Sequence, residues 1–380
     1  MKVVLAFDSF KGSLSSAKAG AAAARAIGSV FEDAICDVIP LADGGEGTVV
    51  AAVDAASGTY ETLQVTGPLG EPASAVIGLI RERQSAELTA VLEVASICGI
   101  TMVPAGRLDP IGASTRGVGE AIMQLLDCGI RRFVVGLGGS ATNDGGMGML
   151  AALGAVFRDS EGRSLSGCGG ELQRAVSVRL SSLDPRLADS AITVATDVGN
   201  PLCGLDGATM IYGKQKGASP EQQAMLDKGM GSYAALIEAA AGASWQSKPG
   251  AGAAGGLGFA MLAIGGVLES GADWLMSVAE LRERVRGADW VLTGEGRSDS
   301  QTLYGKLPIH VAAVTEEAGS RCILLSGSLG EQMEELEKRF HGCFSIVKEP
   351  ASLEACINQA EALLELAVRQ LFRLLRGGER

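Results

Sequence analysis

A short apolar run, a turn of glycines mixed with polar and acidic residues, then a helix-forming stretch: this succession recurs along the chain and limits what it can fold into. Residues 2–7 (Lys-Val-Val-Leu-Ala-Phe) are apolar after the lysine, as expected of a parallel strand buried on both faces. A polar turn over 8–13 and an alanine-rich helix over 17–27 follow, with Ser15 or Ser16 as N-cap. A second strand is expected at 34–39, ending at Pro40. The turn Ala42-Asp-Gly-Gly-Glu-Gly-Thr48 and a helix over 49–56 come next. The pattern returns late, with strands at 290–293, 321–325 and 344–347 and helices at 308–318 and 331–339. One long amphipathic helix over 353–375 closes the chain. Such alternation is the doubly wound α/β pattern.

The middle reads differently. Antiparallel strands are expected at 59–65, 73–80 and 89–94, and helices at 117–127 and 221–240. The fold class is therefore α/β: a discontinuous Rossmann-like doubly wound domain (1–65 and 285–380) with a second α/β domain inserted (66–284). A length of 380 residues suits two domains. The active site is expected in the cleft between them.

The segment Phe133-Val-Val-Gly-Leu-Gly-Gly-Ser-Ala-Thr-Asn-Asp-Gly-Gly-Met-Gly-Met149 joins a strand end, a glycine turn and a helix start. Glycine lets backbone approach a ligand closely and adopt positive φ. Free N–H groups at a helix start favour an anion, most often phosphate. A phosphorylated small molecule is the expected ligand. The Walker spacing is absent. Gly136 to Ala141 also fits a dinucleotide turn, but no ribose-binding acid ends a following strand. The glycines of 250–258 fit a tight turn with close helix packing or a ligand contact.

Three strand-end turns carry charge: Asp8-Ser-Phe-Lys-Gly-Ser13, Asp43-Gly-Gly-Glu-Gly-Thr48 and Glu295-Gly-Arg-Ser-Asp299. Carboxylates without histidine suit a hard, oxygen-liganded ion such as Mg2+. Asp197 ends the apolar run 191–194 and suits a base acting on a hydroxyl. Lys214 and Lys216 supply cations.

Composition excludes other classes. A net charge of −12 argues against a nucleic-acid partner. Eight cysteines without a C-x-x-C pattern read as reduced thiols of a cytoplasmic protein. Two histidines leave little room for a histidine metal site or a Ser-His-Asp triad. The apolar stretch 251–268 carries six glycines and reads as a buried helix rather than a membrane span. No membrane partner is expected, and the oligomeric state is open.

Taken together, these segments resemble the bacterial-type glycerate kinase family across essentially the whole chain. The markers are the three acidic turns, Gly136-Leu-Gly-Gly-Ser-Ala-Thr-Asn-Asp-Gly-Gly146, Asp197-Val-Gly-Asn-Pro-Leu202, and Pro249-Gly-Ala-Gly-Ala-Ala-Gly-Gly-Leu-Gly258. Departures from the family pattern are Cys98, Arg116, Lys214 and His310. The resemblance implies phosphorylation of (R)-glycerate by ATP with Mg2+, and favours 2-phosphoglycerate as product. A hydroxyacid dehydrogenase using NAD and a non-catalytic sensor are the alternatives. The expected roles are as follows. Asp197 takes the hydroxyl proton, and Lys11 assists at the phosphate. Gly138, Gly139, Ser140, Thr142, Asn143 and Asp144 hold phosphate. Ser9, Asn200, Lys216 and Arg297 bind glycerate. Asp43, Glu46 and Asp299 hold the metal.

Overall fold

The computed structural model describes residues 1–10, 12–82, 87–331 and 333–378. The chain forms two compact units. One comprises Met1–Asp43, Val50–Ala56 and Ala272–Arg380; the other comprises Gly44–Val49 and Ser57–Gly271. The acidic turn after the second strand is thus divided, with Asp43 counted in the first unit and Glu46 in the second.

The first unit is built on a parallel five-stranded sheet. Its order is Gly342–Ser345, Arg321–Ser326, Trp290–Thr293, Lys2–Leu5, Ile35–Val38. In chain order this is 2-1-3-4-5, a doubly wound arrangement whose direction reverses between Lys2–Leu5 and Trp290–Thr293. Ligands bind such sheets outside the carboxyl ends of the strands at that reversal. Both strands are apolar because both faces are covered: Val3, Val4, Leu5, Val291 and Leu292 are fully buried.

Helix Ser16–Gly28 starts at Ser15, whose hydroxyl accepts from Lys18 N. Ser16 Oγ donates to Phe7 O at 2.6 Å and accepts from Leu41 N at 2.9 Å. One hydroxyl therefore ties the exits of the first two strands together. The small side chains of Ala19, Ala23 and Ala26 let this helix approach Leu364, Val368 and Phe372 of helix Ala360–Gly378. The expected single closing helix is two, Leu353–Asn358 and Ala360–Gly378, because Gln359 leaves helical geometry at φ −111°. The expected helix over 331–339 is shorter, Glu334–Glu337.

The second unit holds a six-stranded sheet in the order Val267–Glu269, Ala191–Ala195, Arg132–Gly136, Leu88–Glu93, Pro72–Arg81, Thr59–Thr66. The first four strands are parallel and the last two pairings antiparallel. Leu88–Glu93 was expected with antiparallel partners; it pairs that way on one edge only and lies parallel to Arg132–Gly136 on the other. The register aligns Glu93, Gly136, Ala195 and Glu269, so four carboxyl ends lie in one row. The core beneath is aliphatic with a few rings: Tyr233 packs on Phe157 and Phe259 at centroid distances of 5.9 and 6.0 Å. No helix among the described residues is long and apolar enough to cross a membrane. All eight cysteines are free.

Candidate functional site

In the second unit, the row of strand ends carries the turn 136–146. Leu137 N donates to Ala195 O and Gly138 N to Gly44 O, which fixes the turn's entry. A Cβ on Gly136 would run into Gly44 O, and one on Gly138 into the Gly45 backbone. Glycine at these positions therefore permits backbone to pass over backbone. Further along, Ala141 N donates to Cys98 O, and Gly145 N to Gly255 O.

The N–H groups of Gly139, Ser140, Thr142 and Asn143 donate to no acceptor among the described residues. Ser140, Thr142 and Asn143 are buried, the last two fully. Asn143 spends its amide N–H on Thr209 Oγ1 at 2.9 Å, while its buried Oδ1 has no partner among the described residues. Buried backbone donors without acceptors are rare, because each forfeits its hydration. A ligand bearing several oxygens would satisfy them.

Beneath the turn lies Lys216, 3% exposed. Its Nζ donates to Ser140 Oγ at 2.8 Å and to Thr142 O at 2.6 Å. Burial lowers its pKa to about 8, against the opposing pull of Cys98 and Asp144. The Cys98 thiol is pushed up to about 12, chiefly by burial. The ammonium was expected to face a substrate carboxylate; the geometry turns it into the loop instead.

Asp144 corrects the expectation for the helix start. Its carboxylate is fully buried and accepts from Thr115 N (2.7 Å), Thr115 Oγ1 (2.8 Å), Gly146 N (3.0 Å) and Gly148 N (3.2 Å). The N-terminal amides of Met147–Ala152 are therefore taken by the protein's own anion. A pyrophosphate on that helix, as a dinucleotide turn requires, would have to displace it. Burial raises the Asp144 pKa, and the Thr115 and glycine donors pull it back. Within 250–258, Ala254, Gly255 and Gly256 have positive φ, and Gly255 lies against the backbone of Thr142 and Asn143.

Asp197 stands just past strand Ala191–Ala195, partly exposed, with Oδ1 accepting from Gly271 N at 3.1 Å. Asn200 uses both ends of its amide internally, donating to Asp206 O and accepting from Tyr212 Oη. Glu46 is exposed on the turn that Gly44 seats over Ala195 and Gly271. Sequence reasoning missed the residue that anchors this turn. Glu93, 7% exposed, accepts from Val49 N and holds the backbone of Gly47; burial raises its pKa, with the two amides opposing.

In the first unit, the reversal point gathers Asp8, Ser9 and the turn 294–299. Asp8 N donates to Gly294 O at 2.9 Å, and Asp8 Oδ1 accepts from Ser9 N at 2.6 Å. Glu295, which opens the third charged turn and has no individual role in the expected site, is 7% exposed and accepts from Ser298 Oγ, Thr302 Oγ1 and Lys306 Nζ at 3.0, 2.8 and 3.0 Å. It shapes the turn that displays Arg297. That side chain is 68% exposed and bonds Asp299 Oδ2 at 3.3 Å. Asp43 is half-buried. Lys11 lies outside the described residues. Among the described residues, no three His, Cys, Asp or Glu side chains gather to hold an ion.

The profile of the Glycerate kinase family matches residues 3–376. The chain is 41% identical to the glycerate kinase of Bacillus subtilis (strain 168) over 375 residues, 98% of this chain and 97% of that protein. It is 40% identical to the glycerate 2-kinase of Escherichia coli (strain K12), covering 100% and 99% of the two chains. A crystal structure described as a glycerate kinase 2 of Salmonella typhimurium LT2 superposes with a TM-score of 0.85 at 38% identity, over 100% of this chain and 99% of that one. Full-length similarity at this level, on a mixed α/β frame with glycine and acid turns at its strand ends, means that this chain belongs to the glycerate kinase family and is an enzyme of that class.

Proposed function

We propose that the protein transfers the γ-phosphoryl group of ATP to the 2-hydroxyl of (R)-glycerate, giving 2-phosphoglycerate. One observation carries the reading beyond family membership: the turn 138–143 keeps four backbone N–H groups without acceptors above a buried ammonium. Phosphoryl transfer calls for positioning and charge neutralisation more than for covalent chemistry by the protein. Amides held in place supply both.

In this reading the free N–H groups of Gly139, Ser140, Thr142 and Asn143 receive phosphoryl oxygens, with Lys11 assisting, while Gly138, whose N–H is spent on Gly44 O, shapes the turn. Asp144 holds the turn in shape rather than touching phosphate. Asp197 accepts the hydroxyl proton as the oxygen attacks, and the bond from Gly271 N to its Oδ1 keeps the carboxylate aimed. Arg297, exposed on its turn, offers a planar fork to the glycerate carboxylate, with Ser9 and Asn200 as further glycerate contacts. Magnesium enters as part of the nucleotide substrate. Such an ion keeps most of its waters and needs only one or two carboxylates, a part for which Asp43, Glu46 and Asp299 are proposed. The test is phosphorus NMR of the product from ATP, Mg2+ and (R)-glycerate. A 2-phosphoglycerate resonance is expected. Only 3-phosphoglycerate, or none, overturns the assignment.

A further inference from the structure

We propose that Lys216 is a positioning residue: its ammonium, tied to Ser140 Oγ and the Thr142 carbonyl, sets the direction of the amides that receive the nucleotide's phosphoryl oxygens. The inference rests on the functional reading above and departs from the expected contact with the glycerate carboxylate. Three observations support it.

The first is placement. The short turn Lys214–Lys216 exposes Lys214 and Gln215 but sends Lys216 inward, and Gly217 follows at φ +96° against the Leu108 backbone. The Lys216 side chain is 3% exposed, and its Nζ is spent on Ser140 Oγ and Thr142 O of the turn. The second is geometry. In a trans peptide the C=O and the next N–H point opposite ways. Holding Thr142 O toward Nζ at 2.6 Å turns the Asn143 N–H away from the lysine. The bond to Ser140 Oγ fixes the other limb of the same turn.

The third is charge. Among the described residues no carboxylate lies within ion-pair distance of Nζ. The nearby titratable groups are Cys98, on helix Val94–Cys98, and Asp144, whose oxygens are engaged by Thr115, Gly146 and Gly148. A buried ammonium without a counter-ion costs folding free energy. A lysine kept there serves something other than stability.

The experiment is steady-state kinetics of the full chain with ATP and glycerate varied separately, beside thermal melts. Lys216→Met is expected to raise KM for ATP by about tenfold or more while KM for glycerate stays within about threefold. Ser140→Ala, which removes one limb, is expected to give a smaller rise. The double variant is expected to match Lys216→Met, because both act through one turn. An unchanged KM for ATP overturns the proposal, as does a rise confined to glycerate. If Lys216→Met fails to fold, Ser140→Ala decides alone: an unchanged KM for ATP overturns it. A parent that makes no phosphoglycerate sinks the functional reading itself, whereas an active parent with an indifferent Lys216→Met sinks only this inference.

Discussion

At the scale of single residues, the two acids Asp197 and Asp144 differ sharply in what surrounds them. Asp197 is partly exposed and braced by one amide; Asp144 is sealed and saturated by four donors. Their variants should therefore fail differently. Asp197→Asn keeps an acceptor for Gly271 N but cannot take a proton. Its kcat is expected to fall by about 100-fold or more with little change in the melt; a fall within tenfold removes Asp197 as the base. Asp144→Ala leaves three N–H groups and a hydroxyl unpaired in the interior, an expected loss of roughly 3–5 kcal/mol in urea unfolding. The place of Asp197 just past a strand was legible, because an acid after an apolar run stands out in sequence; its part in the chemistry is what the variant tests. Lys216 reads as a cation for the substrate carboxylate; its burial was not legible, because nothing in Lys214-Gln-Lys216 says which lysine turns inward.

At the scale of elements, the strand ends explain why glycines crowd there. Gly255, at φ +69°, faces the carbonyl that Lys216 holds. Gly255→Ala would add a Cβ where Thr142 O already stands, on a backbone that L residues rarely adopt. An expected destabilisation of about 2 kcal/mol or more, with a raised KM for ATP, would appear in melts and kinetics; an unaltered variant would show that the packing is soft. The strand–turn–helix alternation was readable because apolar runs of strand length stood between glycines, and Trp290–Thr293 lies where the letters placed it. Two features escaped. The break at Gln359 is invisible to a periodicity that runs on through it. Glu93 reads as part of the strand over 89–94, with nothing in the letters to say that it holds the turn bearing Glu46, 44 residues away at Val49.

At the scale of the whole molecule, burying one unpaired ammonium should leave a trace in stability as pH changes. Lys216 titrates near 8 when folded and near 10.4 in an unfolded chain. Between those values the unfolded chain holds the proton that the folded one releases, so stability must rise with pH across that window. Below about pH 8 the full cost of the buried charge is present; above about 10.4 it has gone. Other lysines and tyrosines titrate in the same range, but they do so in parent and variant alike. The informative quantity is therefore the parent's unfolding free energy minus that of Lys216→Met, from urea melts at several pH values. This difference is expected to climb by about 2 kcal/mol between pH 7 and 9.5. Its absolute sign at any one pH also contains the lost bonds to Ser140 and Thr142, whereas its slope contains only the proton. A flat difference would mean that the ammonium is hydrated in solution, and the clamp on the 138–143 turn would lose its physical basis.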